Sequence, residues 1–287
     1  MSVESIYDVE LNSATGEPDF LKQFKGKAAL LVNTTVGCGN ANQMEVLQRL
    51  QEKYGGDHFQ IIAIPTNDYC GPGITHGKWS QGITCGLDSL NYGKDVYGTT
   101  FQFSEMVSSN PNGSVSKDLG SAPGHNGLGQ PNGTPHELYQ RIKDHQILAA
   151  QTFISNGLNP ITMFKDKYFS HWLNMGFYSG AEQGGNFEKY LIDKDGYVHR
   201  HYQCTVLNFD SEKTVKEAAE KTGENIGVGE GRSQKIFEEE WSVVCQDIEE
   251  LIAGKRSIVN PAISDYCNLF GQTVSLQELQ NNVGPLV

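Results

Sequence analysis

Three features of the sequence predict an α/β protein with a central mixed sheet flanked by helices. Residues 28–32 (AALLV) and 59–64 (FQIIAI) are largely apolar, with little polar alternation, as expected of strands covered on both faces. The first run leads through turn residues into an amphipathic stretch with Met44, Leu47 and Leu50 at helical spacing. Residues 187–193 and 197–202 flank Asp195-Gly196, the pattern of a β-hairpin.

In chain order, residues 6–11 alternate weakly and are a short strand candidate, followed by a turn over 12–18 and by Phe20, Leu21 and Phe24. The central strand at 28–32 gives way to Asn33-Thr34-Thr35-Val36. Cys38 then lies between two glycines, just ahead of the helix predicted over 41–54, which Gly55-Gly56 ends. A thiol in such a strand-to-helix turn meets free backbone N–H groups and the positive end of a helix, both of which favour thiolate. The next strand, 59–64, stops at Pro65. Its following loop carries Asn67, Asp68, Cys70 and His76 and leaves the same sheet edge as Cys38.

The Gly and Asn content of 82–98, a stretch that contains Cys85, argues against an uninterrupted helix there. Residues 108–135 form a long Gly- and Asn-rich insert whose Asn-Gly units specify turns; it is a candidate cover for the active edge. It contains no phosphate-binding glycine pattern. Leu138, Ile142 and Leu148 restore helical spacing, and the aromatics of 151–185 suit core, an apolar pocket wall or a homodimer interface. On the return strand of the hairpin, His199 and His201 share one face by the two-residue period and form, with nearby Cys204, a candidate metal group. A surface helix is expected over 211–225. Glycines at 227, 229 and 231 then mark a join to an amphipathic helix over 234–253. This divides the chain into a body, 1–225, and a C-terminal helical extension, 226–287, packed on the body or on a partner.

At 287 residues the chain can bury a full core. Its charge of −12 disfavours nucleic acid as a partner, and no 18-residue apolar run suggests a membrane span. Residues 1–5 are polar and acidic, without a signal-peptide pattern, so a cytoplasmic setting is expected. The six cysteines are too dispersed for a disulfide-stapled domain and point to individual thiol or metal chemistry.

Four segments, in order, resemble the glutathione peroxidase family. They are Val32-Asn33-Thr34-Thr35-Val36-Gly37-Cys38-Gly39, then Ile61-Ile62-Ala63-Ile64-Pro65-Thr66-Asn67, then Asn132-Gly133 with the stretch from His136 to Lys143, and finally Asn186 to Gly196. The resemblance covers about residues 5 to 220. It implies a thioredoxin-like fold and a peroxidatic thiol at Cys38, with Asn186 and Asn67 as hydrogen-bonding helpers. Two positions depart from the family: Asp68 stands where a Gln is expected and Gly185 where a Trp is expected. An ionised Asp68 would oppose a thiolate at Cys38, and Trp172 is a candidate replacement for the missing indole.

The expected function is therefore that of an atypical thiol-dependent peroxidase without a cofactor. It would reduce a hydroperoxide through Cys38, with Cys70, Cys85 or glutathione resolving the oxidised thiol and glutathione or a thioredoxin as reductant. Two other readings remain open at this stage. One is a metal-binding redox centre built from Cys38, Asp68, Cys70, His76 and Cys85 at the same edge; the other is a non-catalytic binding or assembly protein that retains the fold.

Overall fold

The computed structural model describes residues 3–35, 40–66, 85–109, 135–155, 186–202, 204, 206–208, 234–262, 265–267 and 273–275. The five-stranded sheet runs in the order β3-β2-β1-β4-β5, with β1 at Ala28–Thr34, β2 at Phe59–Pro65, β3 at Gln102–Phe103, β4 at Lys189–Ile192 and β5 at Val198–Tyr202. Strands β1, β2 and β3 are parallel, while β4 is antiparallel to both β1 and β5, so the sheet is mixed.

Strand β1 is buried along its whole length, as its unbroken apolar run requires. Ala28, Leu30 and Val32 join the cluster that contains α1 (Gln43–Tyr54) and a C-terminal helix at Gln234–Ile252. Ala29 and Leu31 face the opposite cluster, with Leu138, Tyr139 and Ile142 of a helix at Glu137–Ser155. With α2 at Gly86–Tyr97, these helices are numbered α3 (Glu137–Ser155) and α4 (Gln234–Ile252). Residues 265–267 and 273–275 form a separate antiparallel pair, β6 and β7. Among the described residues no helix is long and apolar enough to cross a membrane.

Two local expectations change. Residues 6–11 are not a strand: Ile6–Asp8 is a 3-10 turn whose Tyr7 N–H is capped by the Ser5 hydroxyl. Ile6 and Tyr7 are both buried there, so the weak alternation reflected packing rather than pleating. Residues 86–97 do form an uninterrupted helix. Its glycines allow close approach, because a Cβ at Gly86 would lie 2.3 Å from the Ser104 carbonyl oxygen and one at Gly93 2.8 Å from the Phe103 ring. The helix ends at Gly98, in the left-handed region at φ 65°. The Gly- and Asn-rich insert from 110 to 134, most of the aromatic segment and the helix expected over 211–225 lie outside the described residues.

Candidate active site

The site predicted from the sequence belongs to the sheet edge where β1 and β2 end and β4 begins. Thr66 N–H donates to Thr34 O at 2.8 Å, which carries the β1–β2 pairing one residue past β2. Across β1, Asn33 N–H donates to Glu188 O at 3.1 Å and Phe187 N–H donates to Asn33 O at 2.9 Å. Together these bonds bring Asn186 level with the last residues of β1. Phe187 makes this placement in the left-handed region, at φ 64°, although it is fully buried. A bulky residue held there stores strain on the order of 1–3 kcal/mol, a cost that tends to collect at functional sites.

Cys38 itself, with Asn67, Asp68, Cys70, His76 and Trp172, lies outside the described residues. What the structure gives is its frame: the chain leaves β1 at Thr34 and re-enters at the start of α1, so the thiol belongs to the junction between them. That junction is anchored at its far side. Asn208 Nδ2 donates to Asn40 Oδ1 at 2.9 Å and its Oδ1 accepts from Asn42 Nδ2 at 3.3 Å, while Gln43 Nε2 donates to Cys204 O at 2.7 Å. Leu207 N–H in turn donates to Glu240 Oε2 on α4 at 2.8 Å. The segment around 204–208 thus straps the first turn of α1 to α4.

The edge is polar but buried. Both polar atoms of the Asn33 side chain, Thr34 Oγ1, Gln43 Oε1 and Asn186 Oδ1 are shielded from solvent and have no hydrogen-bond partner among the described residues. Buried groups in that state are uncommon, and several at one sheet edge mark a place suited to polar chemistry. Lys189 lies at the same end of β4. It pairs in register with Val32, is fully buried, and its Nζ donates to Phe187 O at 2.8 Å. Lys189 was hidden in the sequence within the apolar stretch of β4, and Asn33 stood there among the turn residues after the strand.

Cys85 is exposed at the N-terminal end of α2, beside an open cavity of about 250 Å³ that it lines with Ser13, Gly86, Glu105 and Met106. The neighbouring Ser104 and Glu105 directly follow β3. Cys85 therefore stands on the β3 side of the sheet.

The histidines predicted to share a face are separated. The β4–β5 register shifts between Leu191 and Ile192, whose partners are Arg200 and Val198, so His199 is an extra residue in a β-bulge. His201 faces Tyr190, stacks on its ring at 4.6 Å and meets Glu188 Oε2 at 3.0 Å. His199 turns to α4 instead, where a ring nitrogen and carboxylate oxygens of Asp247 and Glu250 lie within 4.8 Å of one another. Cys204 is tied through its carbonyl oxygen to Gln43 and is not part of that group.

Residues 6–118 match the family model described as glutathione peroxidase. The chain is 36% identical over 105 residues to the glutathione peroxidase homolog BsaA of Staphylococcus epidermidis, an alignment that covers 37% of this chain and 61% of that protein. It is 32% identical over 106 residues to the hydroperoxy fatty acid reductase gpx1 of Synechocystis, covering 37% and 57%. The chain thus spans about three fifths of the length of the curated relatives it matches. The crystal structure of T. cruzi GPX1 aligns over 77% of this chain and 98% of that one, at 19% identity and a TM-score of 0.39. The likeness to glutathione peroxidases thus lies in residues 6–118, the part of the chain that carries β1, α1 and β2.

Proposed function

We propose that the chain is a thioredoxin-superfamily oxidoreductase that reduces a hydroperoxide through Cys38. The observation that carries this reading is the convergence, at one sheet edge, of the β1–α1 junction that holds Cys38, the polar atoms of Asn33, Gln43 and Asn186 that have no hydrogen-bond partner among the described residues, and the buried Lys189 side chain. The family match over 6–118 includes that junction.

In the reaction the Cys38 thiolate attacks one peroxide oxygen and the O–O bond breaks. The departing alkoxide or hydroxide takes a proton, giving an alcohol or water, and Cys38 becomes a sulfenic acid, oxidised by two electrons. A second thiolate, from Cys70, Cys85 or external glutathione, then attacks the sulfenic sulfur and releases water as the disulfide forms. Glutathione, or a dithiol protein such as a thioredoxin, returns the electrons; a cytoplasmic setting, where such reductants are maintained, fits this cycle. Within the site, the N-terminal end of α1 and Lys189 supply the positive potential that a thiolate needs, and so offset the charge of Asp68. Asn186, with Asn67 and Trp172, is the candidate donor to the reacting sulfur and oxygen.

The test is consumption of hydroperoxide by the reduced protein under a dithiol reductant. Wild-type protein is expected to turn over and Cys38→Ser protein to be inactive; equal rates in the two would remove Cys38 from the reaction.

A further inference from the structure

We propose that His199, Asp247 and Glu250 form a divalent-cation site, best matched to Zn²⁺, that clasps α4 to β5. The site is separate from the thiol edge. Strand β4 begins at that edge and β5 runs back antiparallel to it, so His199, near the start of β5, lies toward the opposite end of the sheet.

Sequence spacing supplies two of the ligands: Asp247 and Glu250 are three residues apart and so lie on one face of α4. The bulge in β5 supplies the third by turning His199 toward that face. One donor atom from each residue falls within 4.8 Å of the others. A metal about 2.0–2.2 Å from each donor needs them about 3–4 Å apart, a closure within reach of a side-chain adjustment. The independent observation is His199 itself. It is 8% exposed, and neither ring nitrogen has a hydrogen-bond partner among the described residues. An imidazole buried in that condition is costly unless something else takes its lone pair.

The surroundings also resemble those of a ligand shell. The Tyr202 hydroxyl donates to Asp247 Oδ2 at 2.8 Å, the kind of outer contact that fixes a coordinating carboxylate. Arg200 Nε lies 3.7 Å from Asp247 Oδ1 and limits the affinity. The Lys255 ammonium pairs with Glu250 Oε2, and its side chain is 41% exposed, so it can turn into water as a cation takes its place. Glu250, at 34%, leaves the site a way in and an open coordination position for water.

The full chain, stripped with a chelator and kept reduced, is titrated with Co²⁺ as a spectroscopic probe and then with Zn²⁺. The expected result is one Co²⁺ bound without thiolate charge-transfer absorption, displaced by Zn²⁺. Zn²⁺ binding is expected to weaken at least tenfold in both His199→Gln and Glu250→Gln, and the Zn²⁺-dependent rise in thermal midpoint is expected to disappear. Because Glu250 is partly exposed on a helix surface, Glu250→Gln carries the test even if His199→Gln fails to fold. Absence of saturable binding, a thiolate signature, or unchanged affinity in Glu250→Gln would overturn the proposal.

Discussion

Lys189 and His145 are both ionisable side chains buried in the body, and they place opposite demands on it. Lys189 brings its Nζ to the edge of the sheet that holds the Cys38 junction, with the Phe187 carbonyl as a hydrogen-bond acceptor. Lys189→Met should therefore lower the thiolate fraction of Cys38 and slow its alkylation by iodoacetamide at neutral pH several-fold, while unfolded protein reacts at the same rate in both forms. An unchanged rate in the folded protein would remove Lys189 from the electrostatics of the site. His145 is buried as the neutral imidazole: Val198 N–H donates to Nδ1 at 3.2 Å, and Nε2–H donates to Glu4 O at 2.7 Å. Burial pushes its pKa down to about 4, against some lift from the Glu4 carbonyl. The unfolded chain, with His145 near 6.5, then binds the extra proton first, so this contribution is complete above about 6.5 and is lost as pH falls towards 4. It amounts to about 3 kcal/mol at most. Urea midpoints at pH 7.5 and 4.5 should fall less steeply between the two values in His145→Gln than in wild type. Cys38 and Asn186 were legible as residues because each sits in a short motif. Lys189 lies in the same segment as Asn186 but was not, since only the fold reveals that β4 begins beside the end of β1.

At the scale of elements, unbroken apolar runs and helical spacing made β1, β2, α1, α3 and α4 legible, while short-range irregularity hid the rest. Helix α2 was misjudged because glycine is a helix breaker in solution, yet Gly86 and Gly93 are where Ser104 and Phe103 come closest. Gly86→Ala should cost about 2 kcal/mol, because the obstructing atom is backbone and cannot rotate away; an unchanged denaturation midpoint would show that α2 can shift. The bulge at His199 was equally invisible, since a register shift depends on the partner strand. Likewise, nothing local tells that Asn208 pins Asn40 and Asn42 across more than 160 residues. Asn208→Ala should speed hydrogen exchange in the first turn of α1 while leaving the amides of β1 and β2 protected. Uniform exchange behaviour in the two proteins would mean that the strap does not hold the junction.

For the whole molecule, the sheet is the meeting place of two clusters, and α4 closes one of them with Val244, Ile248 and Leu251. Helix α4 is thus part of the packing over β1. Ile248→Ala should destabilise the entire sheet by about 2–4 kcal/mol in one cooperative transition, whereas loss of α4 alone would leave the main transition in place. The same arrangement links distant parts of the chain to the thiol edge: Glu240 on α4 holds Leu207, and the neighbouring Cys204 and Asn208 hold the start of α1. That architecture became legible only in part, because the four family-like segments specify a body and say little about what covers it. The most direct test of the thiol reading is to treat reduced full-length protein with one equivalent of hydroperoxide in the presence of a sulfenic-acid trap and to map the adduct by mass spectrometry. The account predicts that Cys38 gains the trap, or a disulfide to Cys70 or Cys85, before any other cysteine changes. Peroxide left unconsumed, or oxidation spread over the cysteines with Cys38 still reduced, would contradict it.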